Sequence, residues 1–166
     1  MTPKEFVKKY KPFALETERK TGISAIFILA QSALETGWGN SAPGNMMFGV
    51  KASISTPLEK RQLVQTTEIL STDKAKFPVI ISIEKRPDGK FKYTVKDWFR
   101  KYDSPEESFT DHANLFVNNK RYAKALLVRS DPYKFAEEVA KAGYATEPTY
   151  AERLKGVIRT IEKNDK

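Results

Sequence analysis

Between Thr21 and Leu58 the only charged residues are Glu35 and Lys51, in a chain whose charged side chains reach 30%. Glu35 sits in the stretch Gln-Ser-Ala-Leu-Glu-Thr-Gly-Trp-Gly at residues 31–39. The apolar run at residues 25–30, continued by Ala33 and Leu34, predicts a core helix with little wetted surface and with Glu35 in its last turn. A helix C-terminus disfavours negative charge, and partial burial beside Trp38 would strip solvation from the carboxylate. Both effects raise a carboxyl pKa, which suits an acid that holds its proton near neutral pH and delivers it to a leaving oxygen. The plainer alternative is that Glu35 points into water. Gly37 and Gly39 free the backbone around Trp38 to turn sharply and bring the indole over a groove.

Other residue types able to do chemistry are scattered. Glu68 lies on an extended segment, where a carboxylate can face a cleft that a helix-borne carboxylate also faces, or can simply be an exposed strand residue. Residues 45–51, Asn-Met-Met-Phe-Gly-Val-Lys, either close off the core or line a groove, with Asn45 offering amide hydrogen bonds and Phe48 a platform. Tyr144 and Tyr150 flank a turn at residues 143–150, where one can hydrogen-bond a ligand or both can pin a helix junction. His112, the sole histidine, falls on an apolar helical stripe and reads as a hydrogen-bonded core or boundary residue.

The elements that must position these groups are mostly helical. Thr2-Pro3-Lys4-Glu5 is a capping box with proline at the first helical position, opening a helix of about four turns. Ser24 can cap the helix bearing Glu35, and Ser104-Pro105-Glu106-Glu107 repeats the box for a helix running to Phe116. Short helices are predicted over residues 122–128 and after Asp131-Pro132, ending at Gly143. A last helix begins near Thr149, with Glu152 as its capping partner. Between Leu63 and Val95 the period changes to two: Val64, Thr66, Glu68 and Leu70 alternate with Leu63, Gln65, Thr67 and Ile69. Further strands at residues 77–83 and 91–95, joined by Pro87-Asp88-Gly89-Lys90, predict two or three short antiparallel strands beside a helical body. No linker or repeat divides the chain, so a single domain over residues 1–166 with a β-lobe at about 63–96 is expected.

With 166 residues the chain can bury a substantial core. Its 29 Lys and Arg against 21 Asp and Glu give a formal charge of +8, which favours polyanions without choosing among them. The absence of cysteine excludes disulfides and thiol catalysis, and one histidine excludes a histidine-rich zinc centre. No apolar run of membrane-spanning length occurs, and the first residues lack the pattern of a secretion signal, which leaves the export route open and favours delivery by another route.

Several segments, in order, resemble one family. Residues 30–39 resemble the catalytic-acid motif of the bacterial peptidoglycan N-acetylglucosaminidases, glycoside hydrolase family 73, to which the flagellar muramidase-like domain and many autolysins belong. Residues 45–52 are similar to its Asn-rich, Phe-Gly-Ile-Lys segment. Thr66-Thr67-Glu68 resembles its Thr-rich strand carrying a second acidic residue. Phe99-Arg100-Lys101-Tyr102-Asp103-Ser104 with Ser108 resembles the next signature, and Gly143-Tyr144-Ala145-Thr146 with Pro148 and Tyr150 the last. Met46 and Met47 stand where Asn and Leu are commoner, Glu147 replaces the usual Asp, and residues 71–90 exceed a minimal family hairpin.

The resemblance implies a mainly α, α+β fold: a lysozyme-like helical domain with a small antiparallel β-hairpin lobe flanking an active-site groove. It implies cleavage of the β-1,4 bond after N-acetylglucosamine in peptidoglycan glycan strands, with no metal and no cofactor. Glu35 then becomes the general acid, Glu68 the second carboxylate and Tyr144 the aromatic hydroxyl near the reacting sugar. Trp38, Asn45, Phe48 and Tyr150 become substrate-binding residues. The expected partners are glycan strands and anionic wall polymers, with no nucleic acid, for a monomer at the cell envelope, outside the cell or delivered by a phage. The competing readings are a lysozyme-like muramidase, a lytic transglycosylase, and a non-catalytic peptidoglycan-binding or structural module.

Overall fold

The structure is a computed structural model describing residues 1–166. It forms two compact units, a helical one of residues 1–48 and 103–166 and a sheet unit of residues 49–102.

In the helical unit, α1 (Pro3–Thr21) starts as its sequence dictates: the Thr2 hydroxyl accepts from Glu5 N–H and the Glu5 carboxylate accepts from Thr2 N–H. It ends at Thr21-Gly22, where its sequence pattern also stops, and the φ of +77° at Gly22 is open to glycine at little cost. Ser24 then caps α2 (Ala25–Thr36), which buries Ala25, Phe27 to Ala33 and Thr36. Its buried hydroxyls donate back along the helix, Ser32 to Leu29 O and Thr36 to Ser32 O, so no polar cost opposes its burial.

Against α2 pack α1, α5 (Pro132–Lys141) and α6 (Tyr150–Asn164), while α3 (Pro105–Asn118) lies along α1 and α4 (Ala123–Leu126) against α3 and α5. The apolar stripes Phe109, Ala113, Phe116 and Phe135, Ala136, Val139 and Leu154, Ile158, Ile161 are all buried. Phe27 stands edge-on to both Phe116 and Phe135, an arrangement that satisfies the ring quadrupoles. Two expected capping boxes are incomplete. The Ser104 hydroxyl accepts from Glu107 N–H, but the Glu107 carboxylate takes the Asp103 N–H. Thr149 makes no side-chain cap, because its hydroxyl donates to Glu147.

The sheet unit holds three antiparallel strands, β1 (Arg61–Leu70), β2 (Val79–Lys85) and β3 (Phe91–Arg100), with β3 in the centre. The predicted alternation in β1 holds, the Val64, Thr66, Glu68, Leu70 side being the more sheltered. β3 continues five residues beyond Val95, so Trp98, Phe99 and Arg100 belong to the strand rather than following it, paired with Leu63, Gln62 and Arg61. The segment between β1 and β2 folds against Tyr93, which is fully buried: its hydroxyl donates to Thr72 O, accepts from Ala75 N–H, and its ring lies 5.5 Å from Phe77. No helix is long and apolar enough to cross a membrane.

Candidate active site

In the helical unit a cavity of ≈ 370 Å³ opens beside the end of α2. Gln31, Leu34 and Glu35 of α2 line it, with Phe48, the turn from Tyr144 to Glu147, and Tyr150 and Arg153 of α6. Gln31 and Glu35 are four residues apart and therefore share one helix face, stacked one turn above the other.

Glu35 occupies the last turn of α2 as predicted, but it is exposed, not partly buried beside Trp38. The left-handed backbone at Gly37 (φ +58°) and Trp38 (φ +59°) turns the chain so that the indole packs edge-on against Phe6, with centroids 5.5 Å apart. Neither a hydrogen bond nor an ion pair ties up the Glu35 carboxylate, so it is available to whatever enters the cavity.

The turn after α5 supplies the tyrosines. Gly143 adopts φ +88°, and a side chain there would meet the Arg121 guanidinium at 2.9 Å. Tyr144 and Tyr150 stack with centroids 5.6 Å apart, and Tyr144 also stands edge-on to His112. Burial raises both phenol pKa values, that of Tyr150 to about 12, and the Glu35 carboxylate adds to the rise at each. Both therefore act at neutral pH as proton-bearing hydrogen-bonding groups, not as phenolate nucleophiles. Glu147, beside them, accepts from Thr149 and from Arg153 at 2.6 Å.

Beneath the cavity His112 is buried, its ring stacked on Phe48 at 3.6 Å. Burial pushes its pKa down to about 3, which keeps the imidazole neutral, in line with a core histidine. Gln31 links it to the tyrosines: the amide oxygen lies 2.8 Å from His112 Nε2 and the amide nitrogen donates to the Tyr150 hydroxyl at 2.8 Å.

The structure thus gathers Glu35, Phe48, Tyr144 and Tyr150 at one cavity. Trp38 and Asn45 are not among its lining residues, Asn45 ending a short 3-10 turn with φ +58°. Glu68 belongs to the sheet unit, where it forms an ion pair with Lys51. The sequence reading gave no role to Gln31, although a single amide inside an otherwise apolar helix needs a partner there. Arg153 carried no signal beyond its position on an amphipathic helix.

Comparison with known proteins places the chain in one class. The family model described as mannosyl-glycoprotein endo-beta-N-acetylglucosaminidase matches residues 11–163. The chain is 33% identical over 167 residues to the peptidoglycan hydrolase FlgJ of Vibrio parahaemolyticus, covering 97% of this chain and 48% of that protein. It is 29% identical over 144 residues to the exo-glucosaminidase LytG of Bacillus subtilis, covering 82% of this chain and 44% of LytG. In three dimensions it is similar to a C-terminally truncated glycoside hydrolase domain of Salmonella typhimurium FlgJ, with a TM-score of 0.72, 30% identity, and 98% and 99% of the two chains covered.

The chain belongs to the glucosaminidase family of glycoside hydrolases. It spans about half the length of the curated relatives it matches.

Proposed function

We propose that the chain hydrolyses the β-1,4 bond after N-acetylglucosamine in peptidoglycan glycan strands, with Glu35 as the general acid. The observation that carries this reading is the unpartnered Glu35 carboxylate on a cavity it shares with two protonated tyrosines. Protonated, Glu35 donates to the glycosidic oxygen as an oxocarbenium-like centre develops at the sugar carbon. The Tyr144 hydroxyl hydrogen-bonds the reacting sugar and steadies that charge from a site where burial strengthens its dipole. Phe48 and Tyr150 contribute to the ring-binding surface, and Trp38 and Asn45 shape the loop that follows α2.

Glu68 is the second carboxylate, and two routes are open to it. It activates a water for inverting attack, which needs the two carboxyl groups about 6.5–9.5 Å apart in the reacting complex, or the substrate's 2-acetamido oxygen attacks first and configuration is retained, with Tyr144 or Glu68 steadying the charge. Proton NMR of the first-formed anomer separates them, an initial β-anomer excluding inversion. The chemistry calls for no metal or cofactor, and chelation is expected to leave the rate unchanged.

A monomer acting at the cell envelope or outside the cell fits this activity. The +8 charge favours approach to wall polymers bearing carboxylates or phosphates, raising on-rate more than bond specificity. Mass spectrometry of purified peptidoglycan digests tests the reading: new reducing N-acetylglucosamine ends are expected, and their absence with Glu35→Gln. Reducing N-acetylmuramic acid or anhydro ends would instead assign a muramidase or a lytic transglycosylase, and wall binding without new ends a non-catalytic module.

A further inference from the structure

The geometry points to Gln31 and His112 as positioning residues that fix the direction of the hydrogen bond at Tyr150, so that its phenolic proton faces the cavity shared with Glu35. This inference rests on the hydrolase reading above.

Three linked groups, His112, Gln31 and Tyr150, share the protons that set this direction. His112 is closed in by the Phe48 ring at 3.6 Å, the Phe116 edge at 5.1 Å and the Tyr144 edge at 6.0 Å. A neutral imidazole carries one N–H, on either nitrogen. Its Nε2 faces the Gln31 amide oxygen at 2.8 Å, and an amide oxygen only accepts, so the proton sits on Nε2. The amide nitrogen then points to the Tyr150 oxygen at 2.8 Å, and an amide nitrogen only donates. Tyr150 is left as the acceptor of that bond, with its own proton unused on the protein side.

The opposite direction requires the Gln31 amide to be turned over from the orientation observed. With the proton on His112 Nδ1 and the amide reversed, the imidazole would accept from Gln31, and Tyr150 would donate to the amide oxygen. Its proton would then be turned away from the cavity. Gln31 is 3% exposed, so water does not compete for either end of the amide and one direction prevails throughout the chain of bonds. The direction matters once Glu35 has delivered its proton. A donor at Tyr150 stabilises the resulting carboxylate or the substrate oxygen beside it, whereas an acceptor there would oppose both.

Because His112 is the only histidine, long-range proton–nitrogen NMR of the uniformly 15N-labelled chain reads its tautomer without ambiguity. The Nε2–H form is expected; the Nδ1–H form would overturn the inference. No substrate is involved, so that result is independent of whether the hydrolase reading stands, while a lack of new glycan ends from the unmodified chain would sink the hydrolase reading alone, and glycan cleavage by Glu35→Gln only the acid role of Glu35. The second measurement is Gln31→Glu, whose carboxylate accepts at both ends and so turns the Tyr150 proton inward. A fall in kcat of about tenfold or more is expected with KM changed less than about twofold, and Tyr150→Phe added to it should cause little further loss. Unchanged kcat, or losses that multiply, would overturn the inference. Circular dichroism checks that the variant folds; if it does not, the tautomer of the unmodified chain decides.

Discussion

Lys51 Nζ lies 2.7 Å from the Glu68 carboxylate and 3.1 Å from that of Asp97, so one cation holds two acidic side chains on the same face of the sheet. The register explains how. Val64 pairs with Asp97 and Glu68 with Tyr93, while Lys51 forms an isolated bridge to Phe99, which brings its side chain over both. The Glu68 hydrogen bond is the largest cause of a raised Lys51 pKa, so the lysine stays charged across the whole working range. Lys51 is 53% exposed, which limits its worth to stability to less than about 1 kcal/mol. Lys51→Met is therefore expected to shift the urea midpoint little, yet to lower kcat/KM on peptidoglycan by about tenfold if Glu68 works from a fixed position. Denaturation and turnover measured on the same preparation check both halves.

Glu35→Gln should separate activity from folding more sharply. Glu35 is exposed and unpaired, so the substitution removes no internal interaction and should change stability by no more than about 0.5 kcal/mol. Loss of the proton donor is expected to lower kcat by about 10²–10⁴-fold. Release of reducing ends from purified peptidoglycan, beside a thermal melt, is the measurement.

Much of this arrangement could be read from the chain alone, where local chemistry decides local structure. The Thr2 box, the Ser24 cap and the period-two pattern of β1 needed no distant partner. What was not legible depended on groups far apart in sequence. Trp98 to Arg100 fell beyond the strand predicted over residues 91–95, and only pairing with Arg61 to Leu63 makes them strand. Glu35 was expected to be half-buried because Trp38 is three residues away. The two left-handed residues at 37 and 38 instead send the indole to Phe6. Gln31 passed as one more residue of a core helix, since its partners His112 and Tyr150 lie 81 and 119 residues onward.

Tyr144→Phe tests the hydroxyl apart from the ring. The phenyl group can keep its packing on Phe116 and His112, with centroids at 5.7 and 6.0 Å, so the fold should survive with a loss of no more than about 1.5 kcal/mol. Removing the hydroxyl oxygen, whose lone pairs face the developing oxocarbenium charge, is expected to lower kcat by about 10²-fold with KM nearly unchanged. A rise in KM alone would mean that Tyr144 binds the ground state and transition state equally.

His112 makes stability depend on pH in a direction that can be worked out. Burial lowers its pKa to about 3 in the folded chain, against about 6.5 when unfolded, so between those values the unfolded state binds more protons. The stabilising contribution is thus fully present above about pH 6.5 and is lost as pH falls towards 3, by up to about 1.4 kcal/mol per pH unit. Carboxylates elsewhere also titrate below pH 5, so the His112 share is read by difference. His112→Phe keeps a ring against Phe48 but carries no titrating group. It should start less stable at pH 7, because the Gln31 amide oxygen loses its donor, and then decline less steeply than the unmodified chain between pH 6.5 and 5. Urea midpoints at half-unit intervals across that window would show two lines converging on the acid side; parallel lines would mean that the imidazole takes up its proton without unfolding.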